Sequence, residues 1–174
     1  MSIKIGINGF GRMGRLTLRA IWDKEDIECI HINEPAGDAA TLAHLLNFDS
    51  VHGRWQHEAH SENNTIRVGT QHIHCTQNQH IADTDWSKCD IVIEASGIFK
   101  SKTALQPYLD QGVPRIVVTA PVKEDGVLNV VMGVNHHDYQ AQQHRIITAA
   151  SCTTNCLAPI VKVLHENIGI AHGS

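Results

Sequence analysis

The run Ser151-Cys152-Thr153-Thr154-Asn155-Cys156 stands just ahead of an apolar series, Leu157, Ile160, Val161 and Leu164, that ends near Gly169. That spacing predicts a helix beginning at the cysteine. The free amides and partial positive charge of a helix start favour thiolate over thiol, so Cys152 is a candidate nucleophile. Ser151 and Thr153 flank it with hydroxyls able to hydrogen-bond an oxyanion or a phosphate. A buried, inert thiol is the plainer alternative. Cys156 lies one turn deeper, where the terminal field has decayed, and suits packing or support. Pro159, this far into a helix, should kink it.

A second constellation, Gly9-Phe10-Gly11-Arg12-Met13-Gly14, is a GxGxxG between an extended run, Ile3 to Asn8, and an amphipathic one, Arg12 to Trp22. In that context the glycines let backbone approach a pyrophosphate, the helix start supplies N–H groups, and Gly14 allows close helix–sheet packing. Glu34 closes the next extended run, 25 residues after Gly9, where a carboxylate can accept hydrogen bonds from a ribose. A glycine turn beside a surface glutamate is the alternative. A carboxylate there repels a 2′-phosphate and no Arg or Lys lies in Pro35 to Asp38, so NAD is favoured over NADP. Ala95-Ser96-Gly97 and Thr119 end two further strands and are candidates for a second cradle. Taken singly, each is equally a small-residue turn.

These groups need a scaffold, and the pattern supplies one. Extended runs at Ile3 to Asn8, Ile27 to Asn33, Asp90 to Ala95, Arg115 to Thr119, Val130 to Gly133 and Arg145 to Thr148 alternate with helical ones. The helices are Arg12 to Trp22, a stripe of Leu42, Leu45, Leu46 and Phe48 capped by Asp38, and Ser101 to Gln111. The polar stretch from His57 to Asp85 reads as an inserted hairpin around Thr65 to Val68 and Gln71 to Cys75. The economical architecture is α/β, a Rossmann-type doubly wound, mostly parallel sheet with helices on both faces. Residues 1–150 would form a dinucleotide-binding domain, and 151–174 the active-site helix that starts a second, truncated catalytic domain.

Composition narrows the function. A length of 174 residues with 42% hydrophobic content suffices for one core, and a net charge of −4 without a basic run argues against nucleic acid as a partner. Nowhere does an apolar run approach the roughly 20 residues that cross a bilayer. The glycines and arginines of the first 20 residues interrupt any secretory core. Five cysteines, at 29, 75, 89, 152 and 156, form no CxxC pair and read as reduced thiols in a cytoplasmic protein. The 13 histidines are scattered without an HExxH, so no metal site is expected.

The segments INGFGRMGR, HIN-E, FDSVHGRW, EASGIF, APVKEDG, VMGVNHHDY and ASCTTNCLAPIVKVLHENIGI resemble, along the whole chain, the phosphorylating glyceraldehyde-3-phosphate dehydrogenase family; SCTTNC is the most specific. The resemblance implies that Cys152 attacks an aldehyde to give a thiohemiacetal. Hydride loss to NAD then leaves a thioester, which inorganic phosphate cleaves to an acyl phosphate. It also implies that Ser151 and Thr153 line the phosphate site and Gly9, Phe10, Gly11, Arg12 and Met13 the pyrophosphate. Ser96, Gly97 and Thr119 would lie on the nicotinamide side, with Asn33 and Glu34 at the adenosine ribose. A homotetramer is the implied assembly.

The chain departs from the family pattern in three ways. Asn33-Glu34 replaces the common Asn-Asp, shifting the ribose contact by about one methylene. That glutamate, with AHLLNFDSVHGRW, is also similar to erythrose-4-phosphate dehydrogenases, whereas CLAP after the nucleophile leans to the glyceraldehyde enzyme. An arginine that many members place near the adenine is missing from Thr76 to Ile81. Finally, members run to about twice this length, and none of the histidines matches their catalytic base, so the fragment alone is expected to be inactive. Two alternatives stand beside the dehydrogenase half: a catalytically silent NAD-binding or assembly module, and a cysteine hydrolase built on Cys152.

Overall fold

A computed structural model describes residues 2–173. Its centre is a parallel sheet whose strands are β1 (Ile3–Asn8), β2 (Ile27–Asn33), β8 (Ile91–Glu94), β9 (Arg115–Val118), β10 (Leu128–Asn129) and β11 (Ile146–Thr148). Three more strands, β5 (Ala59–Glu62), β6 (Thr65–Val68) and β7 (Gln71–Thr76), form an antiparallel meander. Its last member pairs with β2 in parallel, giving nine strands in the order β10-β11-β9-β8-β1-β2-β7-β6-β5. The expected hairpin is thus three strands fused to the main sheet. A separate ribbon joins β3 (Phe48–Asp49) to β4 (Gly53–Arg54).

The order reverses between β2 and β8, because the chain returns to the opposite side of β1 after β7. Such a switch opens a crevice at the carboxyl ends of the strands. Helices α1 (Arg12–Ile21) and α2 (Ala39–Asn47) serve one core, in which Leu18, Leu42 and Leu46 pack with Ile5, Ile7, Ile32 and Ile73. Helix α3 (Lys102–Asp110) serves a second, where Leu105 and Tyr108 join Trp86, Val92, Ile116 and Val118. Two apolar clusters with different helices are the doubly wound arrangement expected from alternating strand and helix periods.

Two local expectations are corrected. Phe48 leaves the helical stripe for β3 and is 46% exposed, because α2 stops at Asn47, whose amide reaches across to the Ala59 carbonyl. Val130 to Gly133 is not a strand. Val131 donates its N–H to the Asn135 side chain at 2.8 Å, Val134 bonds back to the Val131 carbonyl at 3.0 Å, and the segment closes into a turn just after β10. Apolar composition alone does not report that local side-chain bond.

Helix α4 (Cys152–Asn167) follows β11 and buries none of its residues. Leu157, Ile160, Val163 and Ile168 are all more than half exposed. Among the described residues, no helix is long and apolar enough to cross a membrane, and no cluster of three or more metal-ligating side chains occurs.

Candidate active site

The carboxyl ends of β7, β2, β1, β8, β9 and β11 line up along one edge, each neighbouring pair in parallel register. Every candidate group sits on or just beyond this edge. The glycine turn follows β1, Glu34 follows β2, Ser96 and Gly97 follow β8, Thr119 follows β9, and Cys152 begins α4 just after β11. Two strands separate β1 from β11, so their axes are about 14 Å apart at the usual strand spacing.

The turn after β1 is fixed by close approach. Gly9 has φ +88°, and a Cβ there would lie 2.3 Å from the Ser96 nitrogen. A Cβ on Gly14 would lie 2.2 Å from the Gly9 carbonyl, so the helix can seat against the turn only without one. The Gly14 requirement matches the close packing argued from sequence, whereas Gly9 is required by the approach of the loop after β8. The side chain of Phe10 is core, 1% exposed, while its N–H donates to Glu34 Oε2 at 2.7 Å. Glu34 Oε1 accepts from the Ala36 N–H at 3.0 Å, so the carboxylate ties the end of β2 to the glycine turn. Arg12 pairs with Asp49, whose carboxyl is held below its ordinary range by the His52 and Val51 N–H groups, with Arg12 adding to them.

Among the described residues α2, α3 and α4 are each capped at the N-terminus by a side chain: Asp38 to Thr41 N–H, Ser101 to Ala104 N–H, and Ser151 to Thr154 N–H. Helix α1 has Gly11 as its cap and no side-chain bond, and no acidic residue lies in its first turn. A Cβ on Gly11 would meet nothing within 4 Å. Uncapped amides facing open space beside a bare glycine suit a bound pyrophosphate, so the residues present fit a dinucleotide.

A row of polar side chains lies beneath the edge, and of these the sequence singles out Asn33 and Ser96. Asn33 is 2% exposed and its amide is fully engaged: Nδ2 donates to Asn8 Oδ1 at 2.8 Å and to the Asn78 carbonyl at 2.9 Å, while Oδ1 accepts from Thr76 and from the Asn78 N–H. Its side chain therefore faces protein, not the crevice. Asn8 Nδ2 donates to Glu94 Oε2 at 2.8 Å. Glu94, 1% exposed, also accepts from Tyr108 Oη at 2.7 Å and from the N–H and Oγ of Ser96. Burial beside this carboxylate drives the Tyr108 hydroxyl well above its ordinary value. The readable signal was a polar residue closing five of the strands: Asn8, Asn33, Thr76, Glu94 and Thr148.

Ala150 adopts φ +53°, uncommon for a residue with a Cβ, and its N–H bonds to Thr148 Oγ1 at 3.0 Å. That left-handed step turns the chain from β11 into α4. Ser151 Oγ caps the helix and also meets the hydroxyls of Thr153 (3.0 Å) and Thr154 (2.7 Å). Asn155, itself exposed, clasps the approach by donating to the Ala149 and Ser151 carbonyls. Cys152 is exposed at the first helical position and Cys156 is exposed one turn on. Cys29, Cys75 and Cys89 are buried, and burial raises the last two thiols to about 12. The one exposed cysteine at a helix start is the one singled out by its position in the sequence.

Comparison with known proteins agrees with this geometry. Residues 3–102 match the family model described as glyceraldehyde 3-phosphate dehydrogenase, NAD binding domain, and residues 151–174 match that family's C-terminal domain. Glyceraldehyde-3-phosphate dehydrogenase 3 of a Nostoc species is 50% identical over 99% of this chain and 52% of its own length. The glyceraldehyde-3-phosphate dehydrogenases of Geobacillus stearothermophilus and Streptomyces coelicolor are each 42% identical over 99% of this chain and 52% of theirs. The chain therefore spans about half the length of the curated relatives it matches. NAD is the cofactor of the matched domain. An uncapped first helix at a glycine turn, a carboxylate closing the second strand and a matching domain model converge: this chain belongs to the glyceraldehyde 3-phosphate dehydrogenase family.

Proposed function

We propose that the chain supplies the cofactor-binding half and the nucleophile of an NAD-dependent, phosphorylating dehydrogenase of glyceraldehyde 3-phosphate. The observation that carries this reading is the shared edge: the glycine turn after β1 and Cys152 after β11 open on the carboxyl ends of one sheet. Residues 1–150 form the dinucleotide domain and residues 151–174 begin a catalytic domain.

In this reading the α1 amides at Gly11, Arg12 and Met13 hold the pyrophosphate, and Glu34 bonds the ribose with the lone pairs that Phe10 and Ala36 leave free. Ser96, Gly97 and Thr119 flank the nicotinamide side. Cys152 adds to the aldehyde carbon to form a thiohemiacetal. NAD, when bound, supplies the hydride acceptor that takes this adduct to a thioester. Thr153 and the α4 terminus then receive the phosphate that releases the acyl group, with Ser151 holding that terminus in shape. Among the described residues no histidine is hydrogen-bonded to Cys152, and we expect negligible turnover by these 174 residues alone. The intact enzyme is proposed to act as a homotetramer in the cytoplasm.

Iodoacetamide labelling at pH 7 tests the reading directly. Cys152 should react faster than Cys156 although both are exposed, Cys29, Cys75 and Cys89 should stay unlabelled, and saturating NAD should change the Cys152 rate alone by about threefold or more. Equal rates at Cys152 and Cys156, indifferent to NAD, would contradict a shared site.

A further inference from the structure

We propose that Glu94 is a positioning residue for the dinucleotide, because it joins the loop on the nicotinamide side to the loop on the adenosine side through one directional row of buried hydrogen bonds. The inference rests on the dinucleotide reading above. It starts from the main chain of Asn78, just past β7. The Asn78 N–H is a fixed donor and its carbonyl a fixed acceptor, and both contact the same amide, that of Asn33. Asn33 therefore has one orientation available, with Nδ2 toward β1. Asn8 must then present Oδ1 to Asn33, which leaves Asn8 Nδ2 aimed at residue 94. Across β8 the Ser96 N–H and hydroxyl point at residue 94 from the other side, and Tyr108 adds a donor from α3.

Four donors thus converge on two oxygens, two on each. Only a carboxylate offers acceptors at both ends; the isosteric Gln offers one acceptor oxygen and one NH2. Whichever way a Gln is turned, its NH2 faces either the Asn8 amide nitrogen or the Ser96 N–H. Flipping Asn8 to relieve the first conflict passes it to Asn33, and flipping Asn33 sets its NH2 against the Asn78 N–H. The conflict cannot leave the row. Ser96 abuts Gly9, so the loop that would lose its anchor is the one against which the glycine turn is seated.

A second substitution can restore the row. In a chain carrying both Asn8→Asp and Glu94→Gln, the carboxylate introduced on β1 accepts from Asn33 and from the Gln NH2, the Gln oxygen still accepts from Ser96, and the Tyr108 hydroxyl turns to accept the second Gln hydrogen. The negative charge moves one strand over, the Asn33, Ser96 and Gln donors each regain a partner, and the Tyr108 hydroxyl exchanges its donor role for an acceptor one.

The test measures hydrogen exchange at the Ser96 amide in the dinucleotide-free chain and NAD affinity by calorimetry. In Glu94→Gln the Ser96 amide should exchange about tenfold faster or more, and NAD should bind about tenfold more weakly or worse. The double variant should return both to within about threefold of the parent. Should Glu94→Gln fail to fold, recovery of a cooperative melt by the double variant supports the row and failure to recover overturns it. Unchanged exchange and affinity in Glu94→Gln, or a double variant no better than the single one, overturns the proposal while NAD binding by the parent stands. A parent chain that takes up no NAD overturns the dinucleotide reading itself, and this proposal with it.

Discussion

Gly9 and Ser96 approach so closely that a single methyl group on Gly9 would stand 2.3 Å from the Ser96 nitrogen and 2.4 Å from its Cα. The turn after β1 and the turn after β8 are therefore seated directly against one another, backbone to backbone. The loop that presents the α1 amides and the loop after β8 behave as one surface.

Gly9→Ala should damage both stability and binding. The substitution meets an unfavourable φ of +88° and a backbone clash, mechanisms that together cost about 3 kcal/mol. Urea denaturation should show a lower midpoint with an unchanged slope, and NAD affinity should fall by at least about tenfold in the folded fraction. A midpoint equal to the parent's would show that the two turns do not touch as described.

His31 should make the protein acid-sensitive at an unusually high pH. It is buried on β2 with Nε2 bonded to Thr76 Oγ1 at 2.9 Å, and the His74 ring stands 5.2 Å away. It borders a cavity of about 610 Å³ whose charged lining includes Lys4, Glu28, Asp83, Asp85 and Lys88. Burial, then the neighbouring His74, lower its pKa to about 4, against a weaker opposing pull from Asp85. Between pH 6.5 and 4 the unfolded chain binds a proton that the folded chain refuses, so stability falls as pH drops through that window, by about 1 to 3 kcal/mol. Denaturation curves from about pH 7 to about pH 4.5 should be steeper in pH for the parent than for His31→Gln. Parallel curves would place the loss elsewhere.

Most of the framework was legible because period and punctuation agree in it. Strands β1 and β2 fall on the residues that their alternation indicated, and the cap Asp38 bonds as its residue type predicts, while Ser101 and Ser151 emerge as caps only in the fold. What the sequence concealed was partnership across distance. Glu94 looks like the polar end of an apolar strand, and only the parallel register that sets it beside Asn8 reveals a buried junction. Asn33 was legible as the polar end of a strand but not as an amide consumed from both sides by Asn78, 45 positions later. The Val130 to Gly133 error has the same origin, a side-chain bond from Asn135 that outweighs apolar composition. The make-up of the strand ends was visible where a motif is contiguous, as at Gly9 to Gly14 and Ser151 to Cys156. It was hidden where the fold assembles it from separate strands.

Calorimetric titration of the chain with NAD and, separately, with NADP reaches the central claim with the fewest intermediates. The account predicts one saturable NAD site per chain and binding of NADP weaker by about tenfold or more, because a 2′-phosphate would face the Glu34 carboxylate. Absence of any saturable NAD heat at millimolar ligand, or equal affinity for the two dinucleotides, would contradict it.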